Sequence, residues 1–257
     1  MTLGETRPAA GAQPAAPGPR GAAGSCCPLS AWAAAEEADP LGRIAAALGP
    51  GPFAQVFLFA TPAADLGALC ARAAALFGAA RISGCTTAGE ITGAGYDEGQ
   101  ILAFALPAAG FEVEQIVIEG LDRLDTRALI ADLLRARQGL ARRAPEWRSE
   151  CAVLLVDGLS GQEDALVAAL SGGLGPVPIV GGSAGDGTAF RRTQVHAQGR
   201  VLDNAAVLTL MRSDCTVRPF SLAHLAPSPA RMVVTRADPA RRLVARINDE
   251  PAAQEYA

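Results

Sequence analysis

Two stretches of this 257-residue chain carry the same features in the same order, 96 residues apart. Residues 57–61 (FLFAT) fall on 153–157 (VLLVD), and residues 85–90 (CTTAGE) fall on 181–186 (GGSAGD), matching Ala-Gly-acid to Ala-Gly-acid. Between the members of each pair lies a run with helical spacing. A strand, a helix and a strand ending in a glycine turn therefore occur twice, and such internal repetition constrains a fold more than any single motif. It predicts an α/β fold: two pseudo-repeated β-α-β units with added antiparallel strands, in mixed sheets covered by helices.

Local patterns fill in this frame. Asp39-Pro40 is an N-cap followed by proline at the first helical position, and it opens a helix that stops at the Gly-Pro run 49–52. Residues 54–60 read as a buried strand, 64–78 as a helix with Leu66, Leu69, Ala73 and Leu76 on one face, and 80–90 as a strand running into the first glycine turn. Residues 100–106 and 111–120 are further strands, and Asp125 caps a helix reaching about Leu140. From Cys151 the order repeats: strand, helix over 161–173, strand into the second turn, and a last strand over 205–211. After its turn the second half carries about eight extra residues, which read as a hairpin over 192–204 (RTQVHAQGRVLDN). Residues 1–35 are rich in Pro, Gly and Ala, and read as a disordered tail.

Composition removes several function classes. All 22 basic residues are arginine, so lysine-based Schiff-base chemistry and a Walker A phosphate loop are excluded. That bias and the alanine excess fit a GC-rich bacterial genome. A net charge of −4 argues against a nucleic-acid partner. No C-x-x-C spacing suggests a zinc site, and the six cysteines read as mostly reduced thiols. With neither a secretory leader nor an apolar run of membrane-spanning length, the expectation is a cytoplasmic protein without membrane contact.

The two glycine turns are the candidate site. Gly181-Gly182-Ser183-Ala184-Gly185 matches the G-x-S-x-G of a serine-hydrolase elbow, with Asp203 or Asp214 and then His224 as paper partners. An elbow needs a helix directly after the serine, and residues 185–193 (GDGTAFRRT) make a poor helix start. The repeat places Thr87 opposite Ser183, and a hydrolase does not need two elbows. Strand-end glycines instead let a small ligand approach the backbone, with hydroxyls and N–H groups for a carboxylate and acids for an amine. The predicted ligand-binding residues are Cys85, Thr86, Thr87, Gly89, Glu90, Gly182, Ser183, Gly185 and Asp186, with no catalytic residue. Asp157 stands at another strand end, while Gln162, Glu163 and Asp164 fit a helix first turn.

Residues 84–106, 154–170 and 177–210 together resemble the N-terminal FIST domain, over roughly residues 36–220. The resemblance implies a non-catalytic sensory domain of signal transduction that binds a small ligand such as an amino acid. It also implies a separate output partner, such as a histidine kinase or a cyclic-dinucleotide enzyme. In this family a C-terminal FIST domain follows, and residues 221–257 are similar to a truncated start of one. Some FIST proteins bind haem and sense nitric oxide, so haem is the one cofactor the resemblance allows. His196 is then the first axial candidate, with Cys85 and His224 behind it, while alternation with Val195 alone predicts a solvent-facing His196.

Overall fold

A computed structural model describes residues 27–222, 225–226, 228–239 and 241–257. Most of the expected tail, and His224, thus lie outside the described residues. The first half runs β1 (Leu29–Ala34), α1 (Pro40–Leu48), β2 (Phe53–Ala60), α2 (Leu66–Phe77), β3 (Arg81–Thr86), a small hairpin β4 (Glu90–Thr92) and β5 (Gly95–Asp97), and β6 (Gln100–Pro107). The second half runs β7 (Phe111–Glu119), α3 (Thr126–Arg143), β8 (Ser149–Val156), α4 (Glu163–Leu174), β9 (Ile179–Ser183), a hairpin β10 (Val195–Ala197) and β11 (Arg200–Leu202), and β12 (Ala205–Ser213). The repeat is therefore larger than the sequence suggested, since each half is β-α-β-α-β-hairpin-β. Its first strand corrects the tail boundary: Leu29–Ala34 pairs in full register with β6 and buries Ala31 and Ala33.

Helix ends follow the expected chemistry. Asp39, Asp65 and Asp125 each accept first-turn amide hydrogens, from Gly42, from Ala68, and from Arg127 with Ala128 respectively. Glycines follow the ends of α1, α2 and α4, where positive φ stops the helix without a Cβ penalty.

The halves form two mixed sheets of matching order. One reads β1-β6-β2-β3 and continues into β10-β11; the other reads β7-β12-β8-β9. In both, one parallel pair (β2 with β3, β8 with β9) adjoins antiparallel neighbours. The sheets stack face to face, because alternate residues of each strand enter different apolar clusters. Phe57, Cys85, Leu106 and Val195 of one sheet meet Val113, Leu155, Val207 and Met211 of the other. The opposite faces pack under α1 with α2, and under α3 with α4. The layering is helix, sheet, sheet, helix. A polar chain crosses the inter-sheet layer: Gln115 Nε2 donates to Gln55 Oε1, and Gln55 Nε2 donates to Ser83 Oγ, each over 2.8 Å.

The hairpin β10–β11 breaks the symmetry. It leaves the second half and pairs antiparallel with β3 of the first, His196 opposite Gly84. Three residues (87–89) separate β3 from β4, whereas eleven (184–194) separate β9 from β10. The eight extra residues are thus linker rather than hairpin, and the longer linker lets this hairpin reach the other sheet.

Residues 220–257 form a second compact unit. It holds β13 (Val234–Asp238), β14 (Leu243–Ile247), β15 (Glu250–Pro251) and α5 (Ala252–Tyr256). Among its described residues Ile247 is buried, while Phe220, Leu222, Val233 and Tyr256 are exposed.

Candidate functional site

The two glycine turns meet. The Gly185 amide donates to the Thr86 carbonyl over 2.9 Å, and a Cβ on Gly185 would lie 3.0 Å from the Ala88 nitrogen. Gln194 brackets Thr86 from the other side: the Thr86 amide donates to Gln194 O, and the Gln194 amide donates to Thr86 Oγ1. The turns are therefore in mutual contact, with Thr86 as their shared post.

The strand registers refine how the turns correspond. Ala60 pairs with Thr86, and its equivalent Val156 pairs with Ser183. The next amides, of Thr87 and Ala184, donate to Ala60 O and Val156 O. Ser183 thus stands where Thr86 does, not Thr87, and the offset at the turns is 97. The same shift pairs Gly84 with Gly181, and a Cβ on either would collide with a neighbouring carbonyl, of Leu58 or Leu154.

Most turn side chains are occupied internally. Glu90 is buried; its carboxylate accepts from the Thr87 hydroxyl and, over 3.0 Å, from the Gln100 amide. Gly89 lies against the Tyr96 hydroxyl, which donates to Ala88 O. Asp186 accepts from the amides of Phe190, Arg191 and Arg192, and these N–H groups hold its carboxyl below the usual range. Burial in the inter-sheet layer pushes the Cys85 thiol up to about 12, so it is an inert core thiol. Burial does the same to Cys70, whereas Cys215 is disulfide-bonded.

Ser183 does not form an elbow. No helix follows it, it is not among the residues with positive φ, and its Oγ donates to Glu163 Oε1 over 3.3 Å. Gly182 beside it is exposed on the outer strand of its sheet.

His196 corrects the solvent-facing expectation, since it is only 3% exposed. Its strand neighbours Val195 and Ala197 enter the inter-sheet layer, so the ring points to the opposite face, the one under α2. Burial lowers its pKa, and Nδ1 has no hydrogen-bond partner. His196 lines neither cleft described below, and the ring is closed in by the sheet and α2. Haem ligation needs an imidazole facing an open apolar pocket, so these residues do not fit haem. Among the described residues no cluster of three His, Cys, Asp or Glu side chains could hold a metal ion.

Beside the joined turns lies a cleft of about 490 Å³. Pro62, Ala63, Ala64, Asp65 and Gly67 form one wall, at the N-terminus of α2; Arg192, Gln194, Val201 and Asp203 form the other. Both halves of the repeat contribute, because β10–β11 has crossed over. Arg192 and Asp203 are exposed, and neither makes an ion pair among the described residues. Buried Asp157 fixes the second wall: Oδ1 accepts from the Thr193 hydroxyl and the Leu159 amide, and Oδ2 accepts from the Asn204 amide over 2.6 Å. Thr193 and Asn204 adjoin the lining residues Arg192, Gln194 and Asp203. A smaller cleft of about 250 Å³, mostly apolar, lies across Ala64 and Asp65, between α1 and α2.

The family model of the FIST N domain matches residues 54–250, well over half of the chain. The chain belongs to the FIST N family. FIST domains form a sensory family of signal transduction. The match covers the strands, turns and cleft of the repeat, and runs on into the second compact unit. No curated protein matches the chain. No helix among the described residues of this FIST domain is long and apolar enough to cross a membrane.

The sequence picked out the turns but not the cleft lining at 62–67, Arg192, Gln194 and Asp203. The available signal was the extra length after the second turn, since surplus loop next to a strand end is where sites are commonly built.

Proposed function

We propose that this FIST domain is a non-catalytic cytoplasmic sensor that holds an α-amino acid, or a closely related metabolite, in the larger cleft. One observation carries the reading: a guanidinium and a carboxylate, Arg192 and Asp203, line one cleft without ion-pair partners among the described residues. A zwitterion supplies the carboxylate for the first and the ammonium for the second, and Arg offers a paired-donor geometry suited to a carboxylate. Asp65, which caps α2 on the opposite wall, adds a second carboxylate for the ligand's ammonium. The predicted turn residues then serve the ligand indirectly. Thr86 and Gly185 hold Gln194 in the wall, Asp186 fixes the backbone of Arg192, and Thr87 with Glu90 ties the first turn to β6. Cys85, Gly89, Gly182 and Ser183 complete the support around them. Occupancy is passed to a separate output protein, such as a histidine kinase or a cyclic-dinucleotide enzyme.

A thermal-shift screen against the proteinogenic amino acids tests this. At least one raises the midpoint, as ligand binding to the folded state must. The shift disappears in Arg192→Ala and Asp203→Ala, whose unliganded midpoints match the parent because both side chains are exposed. A screen in which no amino acid moves the midpoint contradicts the reading.

A further inference from the structure

The internal repeat shows what a β3-type edge takes. On β3 the outer edge is covered by β10, in antiparallel register over Ser83, Gly84 and Cys85. The equivalent edge, over Val180, Gly181 and Gly182 of β9, has no strand on it among the described residues. The chain's own matching hairpin is held elsewhere. β4 starts after only residues 87–89, and Glu90 anchors it to the Gln100 amide. The hairpin that corresponds to β10–β11 is thus not available to β9, whose outer edge stays open among the described residues.

The edge is complementary to itself. Ala152 donates to Pro178 O and Ala184 donates to Val156 O, so even-numbered residues of β9 bond inward to β8. Ile179, Gly181 and Ser183 consequently present their N–H and C=O groups outward. A two-fold axis through Gly181 sets Gly181 against its copy and Ile179 against Ser183 of the other chain, pairing large with small. Val180 falls opposite Gly182 in the same way. No residue of β9 is charged and none is proline, so the usual protections of an exposed edge are missing.

The helix beside the edge fits the same axis. On α4, Gly172 and Gly173 face Ile130 and Leu133 of α3. Val167 and Ser171 lie on the other side of α4, the side on which Glu163 meets Ser183. Val167 is 39% exposed and Val180 40% exposed, one on each face of the bare edge.

We propose that two copies of this chain associate through β9, antiparallel, joining their four-stranded sheets into one of eight strands with the two α4 helices side by side. The contact is isologous, as a closed homodimer requires. One short strand and one helix flank make a small interface, in the size class of weak, transient contacts. The proposal is independent of the ligand cleft, which lies at other residues.

Sedimentation equilibrium of the full chain, taken to about 200 µM, tests it. The expected result is a monomer–dimer equilibrium that weakens at least about tenfold in Val167→Arg and in Val180→Lys, each a buried, unpaired charge in the dimer. Both variants keep the parent's circular dichroism and thermal midpoint, because both side chains are exposed in the single copy. A chain that stays monomeric over the whole range overturns the proposal. So does a dimer that neither substitution weakens, because its interface lies elsewhere.

Discussion

Asp157 and His196 are both buried polar side chains, and they differ in what they bond. Asp157 accepts from the Leu159 amide two residues on and from the Thr193 hydroxyl and the Asn204 amide far along the chain, so its removal leaves the last two without this acceptor and the Leu159 amide with only a 3.3 Å bond to Thr193 Oγ1. Asp157→Ala should lower the unfolding free energy by about 3 kcal/mol in urea titrations. It should also weaken the amino-acid thermal shift, because the wall carrying Arg192 and Asp203 loses its tie. His196 has an unpartnered Nδ1, and burial lowers its pKa from the ordinary 6.5. In acid the unfolded chain takes up this proton first, so His196 contributes full stability above 6.5 and loses it as pH falls toward the depressed folded value. Urea midpoints recorded between about pH 7 and about pH 5 should fall with acidity in the parent and fall less in His196→Leu. Equal slopes in the two proteins would contradict the burial assigned to this ring.

At the scale of elements, the repeat makes paired predictions. Gly84 and Gly181 occupy equivalent strand positions, where a Cβ would sit 2.6 Å from Leu58 O and 1.9 Å from Leu154 O. Gly181 also has φ of 146°, outside the range of L side chains. Gly84→Ala and Gly181→Ala should each cost about 3 kcal/mol or more, with Gly181→Ala the worse, as read by thermal unfolding. Asp125→Ala removes one Oδ1 that accepts from two first-turn amides of α3, and should cost about 1 kcal/mol. The elements were largely legible because their signals are local: Asp39-Pro40, the alternation of 111–118, the glycines that end helices. β1 was not, since LSAWAA is short and follows a Pro/Gly/Ala run whose composition masks it. The equivalence of Ser183 with Thr86 was not legible either, because a one-residue register change between parallel strands leaves no mark in an ungapped comparison.

At the scale of the whole molecule, a six-stranded and a four-stranded sheet packed face to face between helices give the domain its three apolar layers. The family and fold class were readable because several motifs recur in a fixed order. The cleft was not, because it exists only after β10–β11 crosses to the other half and brings 192–203 beside 62–67. The destination of a hairpin is decided by a free strand edge and a long enough linker, neither of which is a property of its own residues. Residues 84–90 and 181–186 stand out because they are glycine-rich; in the structure they join to one another beside the cleft proposed for the ligand. The most direct test of this account is hydrogen–deuterium exchange with and without the amino acid that gives the largest thermal shift. The account predicts that ligand slows exchange at 62–68 and 192–204 and leaves β7 and α3 unchanged. Protection elsewhere, with those two segments unaffected, would contradict it.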